Sequence, residues 1–337
     1  VRLLKDKPSK KEISDLLFQL GHEHELENNI FDLEITPNRG DCLSLNGIAR
    51  DLNFFYPMKS NTKVYSGNLK KFNPKLKNES EEICPNISFL EIEITGKVKK
   101  YKDYLENYFK DLGINKNNFF TDISNYLAYE TGQPTHCFDA TKMDGTFKLE
   151  KRKKNEKFKT LLDDEIELKG QNLVFTLDNK TISLAGVMGG KSTSCSNSTT
   201  KVWVECAYFK PEEILGKARK YNLNSEAAYK FERGVDFMCQ EMVLRRFIAI
   251  VGEHAEIKSM AINQNLKKKV RHKLNFSSKK INEIIGDEVK EHRQVKILKA
   301  LGFEKEKNSI VIPSHRSDID QANDLAEEIT RVIGYNN

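Results

Sequence analysis

The sequence predicts an α+β protein of several domains: a small N-terminal α/β unit, a central mixed α/β domain and a winged-helix-like C-terminal module. Three observations predict this. A chain of 337 residues exceeds the roughly 100–200 residues of one compact core. Apolar positions recur with helical spacing in some segments and strand spacing in others. Two polar stretches without clear periodicity, residues 58–85 and about 257–273, interrupt the pattern. They set boundaries of 1–57 for the N-terminal unit, 86–255 for the central domain and 256–337 for the last module.

The elements follow in order. Ser9 and Glu12 make a capping box for a helix whose apolar stripe is Ile13, Leu16, Leu17 and Leu20, with Gly21 as its stop. Phe31, Leu33 and Ile35 alternate with Asp32 and Glu34, the pattern of a half-buried strand. The turn PNRGD leads to a second helix carrying Leu45, Ile48, Ala49, Leu52 and Phe55. The central domain opens on the strand SFLEIEI, then two helices around Tyr104–Leu112 and Ile123–Leu127. From Gly145 short strands dominate: FKLEK, LVFTLD, TISLAG and VWVECAYF. Helices return from Pro211 to about His254. The last module holds short helices near 281–285 and 289–301, the strand SIVI, and a final helix from about Asp320 to Ile333.

Composition removes several classes. No apolar run nears the roughly 18–20 residues that span a bilayer, and the opening VRLLKDKPSKKE lacks a signal-peptide core. Together these predict a cytoplasmic protein without a membrane partner. The six cysteines show no C-x-x-C spacing, which removes that zinc pattern and leaves them as small buried hydrophobes. The net charge of +6 is mild. Basic clusters at Lys97–Lys100, Lys151–Lys159 and Lys267–Lys273 suit either phosphate contact or solvated loops.

Three constellations could carry chemistry. The first, AGVMGGKS at 185–192, mimics a phosphate loop. The stretch after it, STSCSNSTT, is a poor helix former, so no helix N-terminus can face a phosphate. A tight glycine turn between strands fits better, with exposed N–H groups able to line a pocket. The second is polar: Asn125 and His136 flank a Gly-Gln-Pro turn, and Glu205 lies in VWVECA. Val202, Val204 and Cys206 share one face there, so Trp203 and Glu205 face either solvent or a cleft, and spacing alone favours a solvated Glu205. The third is acidic. Asp324, Glu327 and Glu328 share one helix face, with Asp318 just upstream. Such a face suits either Mg²⁺ or a helix N-terminus satisfied by its own carboxylates, with Arg331 as a partner for Glu327 or Glu328.

At these residues the chain resembles the β subunit of bacterial phenylalanine–tRNA ligase. EITPNRGDCLSLNGIARDL, DISNYLAYETGQPTHCFD, SLAGVMGG, VWVECAYF, NSEAAYKFERGVD and IPSHRSDIDQANDLAEEITRVIGYNN occur in that family's order. The resemblance implies a middle domain that hydrolyses tyrosine wrongly attached to the phenylalanine tRNA. It implies site positions at Ser124, Asn125, His136, Ala185, Gly186 and Glu205. His136, Asn125 and Glu205 carry the chemistry, with Glu205 the candidate acceptor for the tyrosine phenol. It further implies Mg²⁺ on Asp318, Asp324, Glu327 and Glu328 near an α subunit, which binds ATP and joins phenylalanine to tRNA in an α₂β₂ tetramer. Ser124 replaces the family's usual Thr, and Gly40 its usual Pro. The short span from Gly21 to Asn29 leaves no room for the family's oligonucleotide-binding barrel, and the chain ends before the catalytic-like and anticodon-binding domains. Two alternatives to an editing subunit stay open: a scaffold binding tRNA and the α subunit through an inactive pocket, and a free-standing hydrolase of mischarged tRNA.

Overall fold

A computed structural model describes residues 3–59, 62–267 and 271–334. Residues 268–270 of the third basic cluster and the terminal Tyr335, Asn336 and Asn337 lie outside the described residues. The chain forms two compact units, Val1–Thr62 with Lys268–Asn337, and Lys63–Lys267.

The first unit begins with helix α1 (Lys10–Gln19). The capping box forms as its sequence requires: Ser9 Oγ accepts from the Glu12 N–H, and the Glu12 carboxylate accepts from the Ser9 N–H. A hairpin follows, β1 (Glu23–Glu27) and β2 (Ile30–Glu34). Asn28 and Asn29 turn it with φ of 47° and 72°, the left-handed pair that a two-residue hairpin loop requires. Sequence reading takes β2 and passes over β1, although that Asn-Asn pair is its signal. Helix α2 (Leu45–Asp51) is capped by Ser44, whose Oγ accepts from the Gly47 N–H.

The second unit holds two five-stranded sheets. Short strands β3 (Lys70–Lys71) and β4 (Lys77–Asn78) lie in the stretch read as a linker. Each adds a parallel edge to one sheet, and Ile83 and Cys84 from the same stretch are buried. Next come β5 (Asn86–Val98), α3 (Asp103–Asp111), α4 (Phe119–Thr131) and β6 (His136–Asp139). Strands β7 (Phe147–Lys153), β8 (Glu156–Lys159), β9 (Glu165–Leu168), β10 (Gln171–Leu177), β11 (Lys180–Leu184), β12 (Met188–Gly189) and β13 (Lys201–Tyr208) follow. Helices α5 (Pro211–Ile214), α6 (Lys217–Lys220), α7 (Glu226–Phe231) and α8 (Gln240–His254) lead to β14 (Ala255–Leu266). The sheet orders are β3-β14-β5-β13-β6 and β12-β11-β10-β7-β4, with β8-β9 a separate hairpin.

Strand β14 corrects the second linker. Its register against β5 shifts at Ala255/Ile257 and again at Ile257/Ser259. Such bulges break the alternation at the strand's start, and the rest, Ser259–Leu266, is largely half-buried or exposed while pairing beside the sheet's central strand. The basic cluster at Lys151–Lys159 is also reassigned. It runs through β7 and β8, where Lys151, Lys157 and Lys159 pair with Glu213, Glu165 and Asp163.

Strand parity divides the core of this unit. Leu90, Ile92, Val202, Val204 and Cys206 pack with the α3, α4 and α8 residues Leu105, Ile123 and Phe247. The other face of β5, β6 and β13 presents Phe89, Phe138 and Ala207 to Phe147, Phe175 and Leu184 of the second sheet. Each such side chain contributes roughly 1.5–3 kcal/mol on full burial. Glu205 belongs to this second face.

The first unit then resumes with β15 (Lys273–Asn275), α9 (Ser278–Ile285), α10 (Glu291–Ala300), β16 (Glu304–Glu306), β17 (Ser309–Val311) and α11 (Ala322–Ile333). Strands β15, β17 and β16 make a three-stranded antiparallel sheet. Residues from both chain ends share one core: Leu4, Leu20 and Leu52 pack with Ile297, Phe303, Leu325 and Ile329.

Candidate functional site

The second unit contains a cavity of about 560 Å³, within the range of sites that hold small ligands. Register explains its chemistry. Glu205 of β13 pairs directly with His136 of β6, so their side chains rise side by side from one face. Glu205 is 5% exposed, and its Oε1 has no hydrogen-bond partner among the described residues. His136 Nε2 is likewise buried without a partner. The solvated Glu205 favoured by spacing is therefore corrected: parity was right, but the face it shares with Trp203 is covered by the second sheet. Trp203 itself donates from Nε1 to Glu91 Oε2 at 2.9 Å.

Burial pushes the Glu205 carboxyl up to about 8 and the His136 imidazole down to about 4. Both are neutral at pH 7. An unmet buried polar atom costs about 1–3 kcal/mol, and both residues line the same cavity.

The glycine turn forms the adjoining wall. Gly186 has φ of 71°, and a Cβ there would meet Ile214 Cδ1 at 2.8 Å and Phe209 Cδ2 at 3.0 Å. A Cβ on Gly189 would meet His136 Cε1 at 2.3 Å, so the imidazole packs where only bare backbone leaves room. After the turn, Lys191–Thr193 form a short 3-10 segment and Lys191 binds Asp163 at 2.7 Å. The α-helix that a phosphate loop needs does not follow.

Ser124, Asn125, His136, Gly186 and Glu205 all line the cavity. Ser124 Oγ donates to the Thr135 carbonyl at 2.7 Å, which fixes the turn that delivers His136. Ala185 differs: it is 1% exposed, packs in the core, and its N–H donates to the Leu173 carbonyl. Sequence reading missed several lining segments, two of them from distant elements. Leu161 and Leu162 come from the turn of the β8-β9 hairpin, and Ser225 and Glu226 start α7. The NSEA stretch was visible as a motif, but no spacing ties it to a glycine turn some forty residues earlier. Ser225 Oγ makes that tie, donating to the Val187 carbonyl at 2.5 Å.

The acidic constellation is not a cluster of free carboxylates. Both oxygens of Glu328 accept from Arg316 and from Arg331, at 2.7–3.2 Å. Asp318 accepts from Arg316 at 2.8 and 2.7 Å. Arg331 continues to Asp51, which also receives Arg39 and His22, and Arg39 ends on Asp41. Burial would raise the Glu328 carboxyl, but Arg316 and Arg331 beside it hold it below its ordinary value. Asp324 Oδ2 accepts from the N–H groups of Asp320 and Gln321 and so closes the start of α11, while Glu327 is exposed. Among the described residues, no three of these four acids offer ligand atoms close enough for one ion. The implied Mg²⁺ does not fit them as they stand, because two guanidinium groups already occupy Glu328. The one compact trio among the described residues, His22, Cys42 and Asp51, sits against Arg39 and Arg331 and is equally unsuited to a cation.

Comparison with known proteins adds the family. Residues 83–256 match the B3/4 domain, and residues 274–335 match the tRNA synthetase B5 domain. The phenylalanine–tRNA ligase β subunit of Francisella tularensis is 33% identical over 332 residues, covering 92% of this chain and 41% of that protein. The Fusobacterium nucleatum β subunit is 33% identical over 322 residues, covering 93% and 40%. The chain thus spans about two fifths of the length of these relatives. An N-terminal fragment of the phenylalanyl-tRNA synthetase β subunit from Pyrococcus horikoshii shares the fold, with a TM-score of 0.50 at 16% identity, covering 99% of this chain and 97% of that one.

Proposed function

From the premise that this chain belongs to the phenylalanine–tRNA ligase β-subunit family, we propose that its cavity hydrolyses tyrosine wrongly esterified to the phenylalanine tRNA. The observation that carries the reading is the pair of unmet polar atoms, Glu205 Oε1 and His136 Nε2, side by side in one cavity. A site that joins phenylalanine to tRNA excludes tyrosine poorly, because one hydroxyl adds little to an apolar pocket. A second site that hydrogen-bonds the hydroxyl discriminates well. A neutral Glu205 accepts the phenol O–H at its carbonyl oxygen, whereas phenylalanine leaves that oxygen orphaned.

Hydrolysis adds water to the ester carbonyl carbon and breaks its bond to the ribose oxygen. Free tyrosine and a tRNA with an intact terminal hydroxyl are released. His136, neutral and held by the Ser124–Thr135 turn, orients the water or the ester together with Asn125. No side chain is assigned as general base. The chain works beside the family's α subunit, to which this reading assigns the ATP-dependent activation step. The Mg²⁺ set of the family enters no step here.

The test is hydrolysis of Tyr-tRNA and Phe-tRNA by the full chain and by Glu205→Ala. Wild type should cleave the tyrosyl ester preferentially, and the variant should lose that preference. A chain that binds tRNA but cleaves neither ester refutes the reading in favour of a scaffold.

A further inference from the structure

We propose that Glu226 receives the α-ammonium group of the aminoacyl ester, so that the cavity reads an amino acid at both ends. This rests on the editing reading and names a second recognition contact within it.

The argument starts from the substrate. An aminoacyl ester keeps a free α-amino group, which in peptides titrates at about 7.7–8.0. A nearby carboxylate favours its charged form further. A cavity that encloses the ester must therefore offer that cation an acceptor. Besides His136 and the thiols Cys137 and Cys195, which burial keeps protonated, the lining contains three ionisable side chains: Glu205, Lys191 and Glu226. Lys191 has the wrong sign and is bound to Asp163. Glu205 is sealed among the strands, pushed up to about 8 by burial, and committed to the phenol. Glu226 remains. It is the first residue of α7, it is exposed, and no hydrogen bond or ion pair holds its carboxylate among the described residues. The Lys230 ammonium is pushed down by burial and drawn back up by Glu226.

Its position is fixed rather than incidental. Ser225 Oγ accepts from the Ala228 N–H at 3.1 Å and donates to the Val187 carbonyl at 2.5 Å. One hydroxyl thus caps α7 and ties it to the turn that carries Gly186. Glu226 is thereby anchored to the glycine-turn wall of the cavity. Since tyrosine and phenylalanine both carry the ammonium group, Glu226 selects for an α-amino acid, while Glu205 selects between side chains.

The experiment uses the full chain and two pairs of probes. Hydrolysis is compared for tyrosyl-tRNA and the matching tRNA ester of 4-hydroxyphenyllactate, in which a hydroxyl replaces the α-amino group. Binding is compared for an amide-linked, non-hydrolysable tyrosyl-adenosine and its counterpart lacking the amino group. Wild type should prefer the amino form about 10–100-fold in both assays, the range of one hydrogen bond to a charged group. Glu226→Gln should abolish that preference, leave the hydroxy ester unaffected and leave the tyrosine-over-phenylalanine ratio unchanged. Glu226→Asp should restore part of it. Equal treatment of both probes by wild type, or equal slowing of both by Glu226→Gln, overturns the proposal. A binding preference without hydrolysis overturns the editing reading alone, and no binding of either probe overturns both.

Discussion

Glu205 and Glu328 are both acids buried to 5% exposure or less, and they resolve the same physical problem in opposite ways. Glu328 keeps its charge because two arginines surround it with four hydrogen bonds. Glu205 surrenders its charge and leaves an oxygen without a partner. The difference teaches how to sort buried acids. One satisfied on every lone pair by its own chain is structural, whatever its neighbours suggest. One left incomplete against a cavity waits for a ligand.

The largest expected effect breaks the structural side of that comparison. Glu328→Ala removes the carboxylate that Arg316 and Arg331 share, leaving them only Asp318 and Asp51 as acidic partners, and should destabilise the unit by about 3–5 kcal/mol, as removal of one member of a buried ion pair does. Glu205→Gln at pH 7 should cost far less, because it replaces one neutral group by another. Urea denaturation of the two variants compares them. A loss below about 1 kcal/mol for Glu328→Ala would place it with the dispensable surface pairs.

Next in size is the pH dependence of stability. The Glu205 carboxyl moves from an ordinary 4.5 to about 8 on folding. Folding therefore takes up a proton between these values, and stability falls as pH rises through that window. His136 moves from 6.5 to about 4, so stability also falls as pH drops from 6.5 to 4. Glu205→Gln should remove only the first limb and gain on wild type by on the order of 2–4 kcal/mol above pH 8. Parallel wild-type and variant profiles from pH 4 to 9 would contradict this.

Much of this contrast was hidden in the sequence. Alternation in VWVECAY put Val202, Val204 and Cys206 on one face and Glu205 on the other, and that parity is what the structure shows. Parity cannot say what covers a face, and the cover here is the second sheet, β12-β11-β10-β7-β4. The acids of α11 were visible at helical spacing. Their arginine partners were only partly so: Arg331 lies in the same helix, but Asp51, which completes the chain of charges, is 280 positions away. Strand β14 vanished into a supposed linker because bulges interrupt its start and most of the remainder is too exposed to carry an apolar alternation.

Smaller effects sharpen the ligand side. Glu205→Ala should reduce the tyrosine-over-phenylalanine ratio about 10–100-fold, the value of one unmet buried acceptor at 1–3 kcal/mol. Glu205→Gln, which keeps a carbonyl oxygen in place, should retain most of it. Equal losses in both variants, measured as kcat/KM on the two esters, would point to an ionised acceptor. The smallest expectation concerns metal. Millimolar Mg²⁺ should leave the melting temperature of the chain alone unchanged, and a clear rise in Tm abolished by Glu327→Gln would restore the acids of α11 as ligands.

The protonation state of Glu205 itself tests the account most directly. Carbon-13 labelling of the glutamate side chains, with Glu205→Gln to assign the resonance, allows its carboxyl to be followed by NMR from pH 4 to 9 in the full chain. The account predicts a neutral carboxyl at pH 7 with a midpoint near 8. A Glu205 carboxyl already ionised below pH 5 would contradict it.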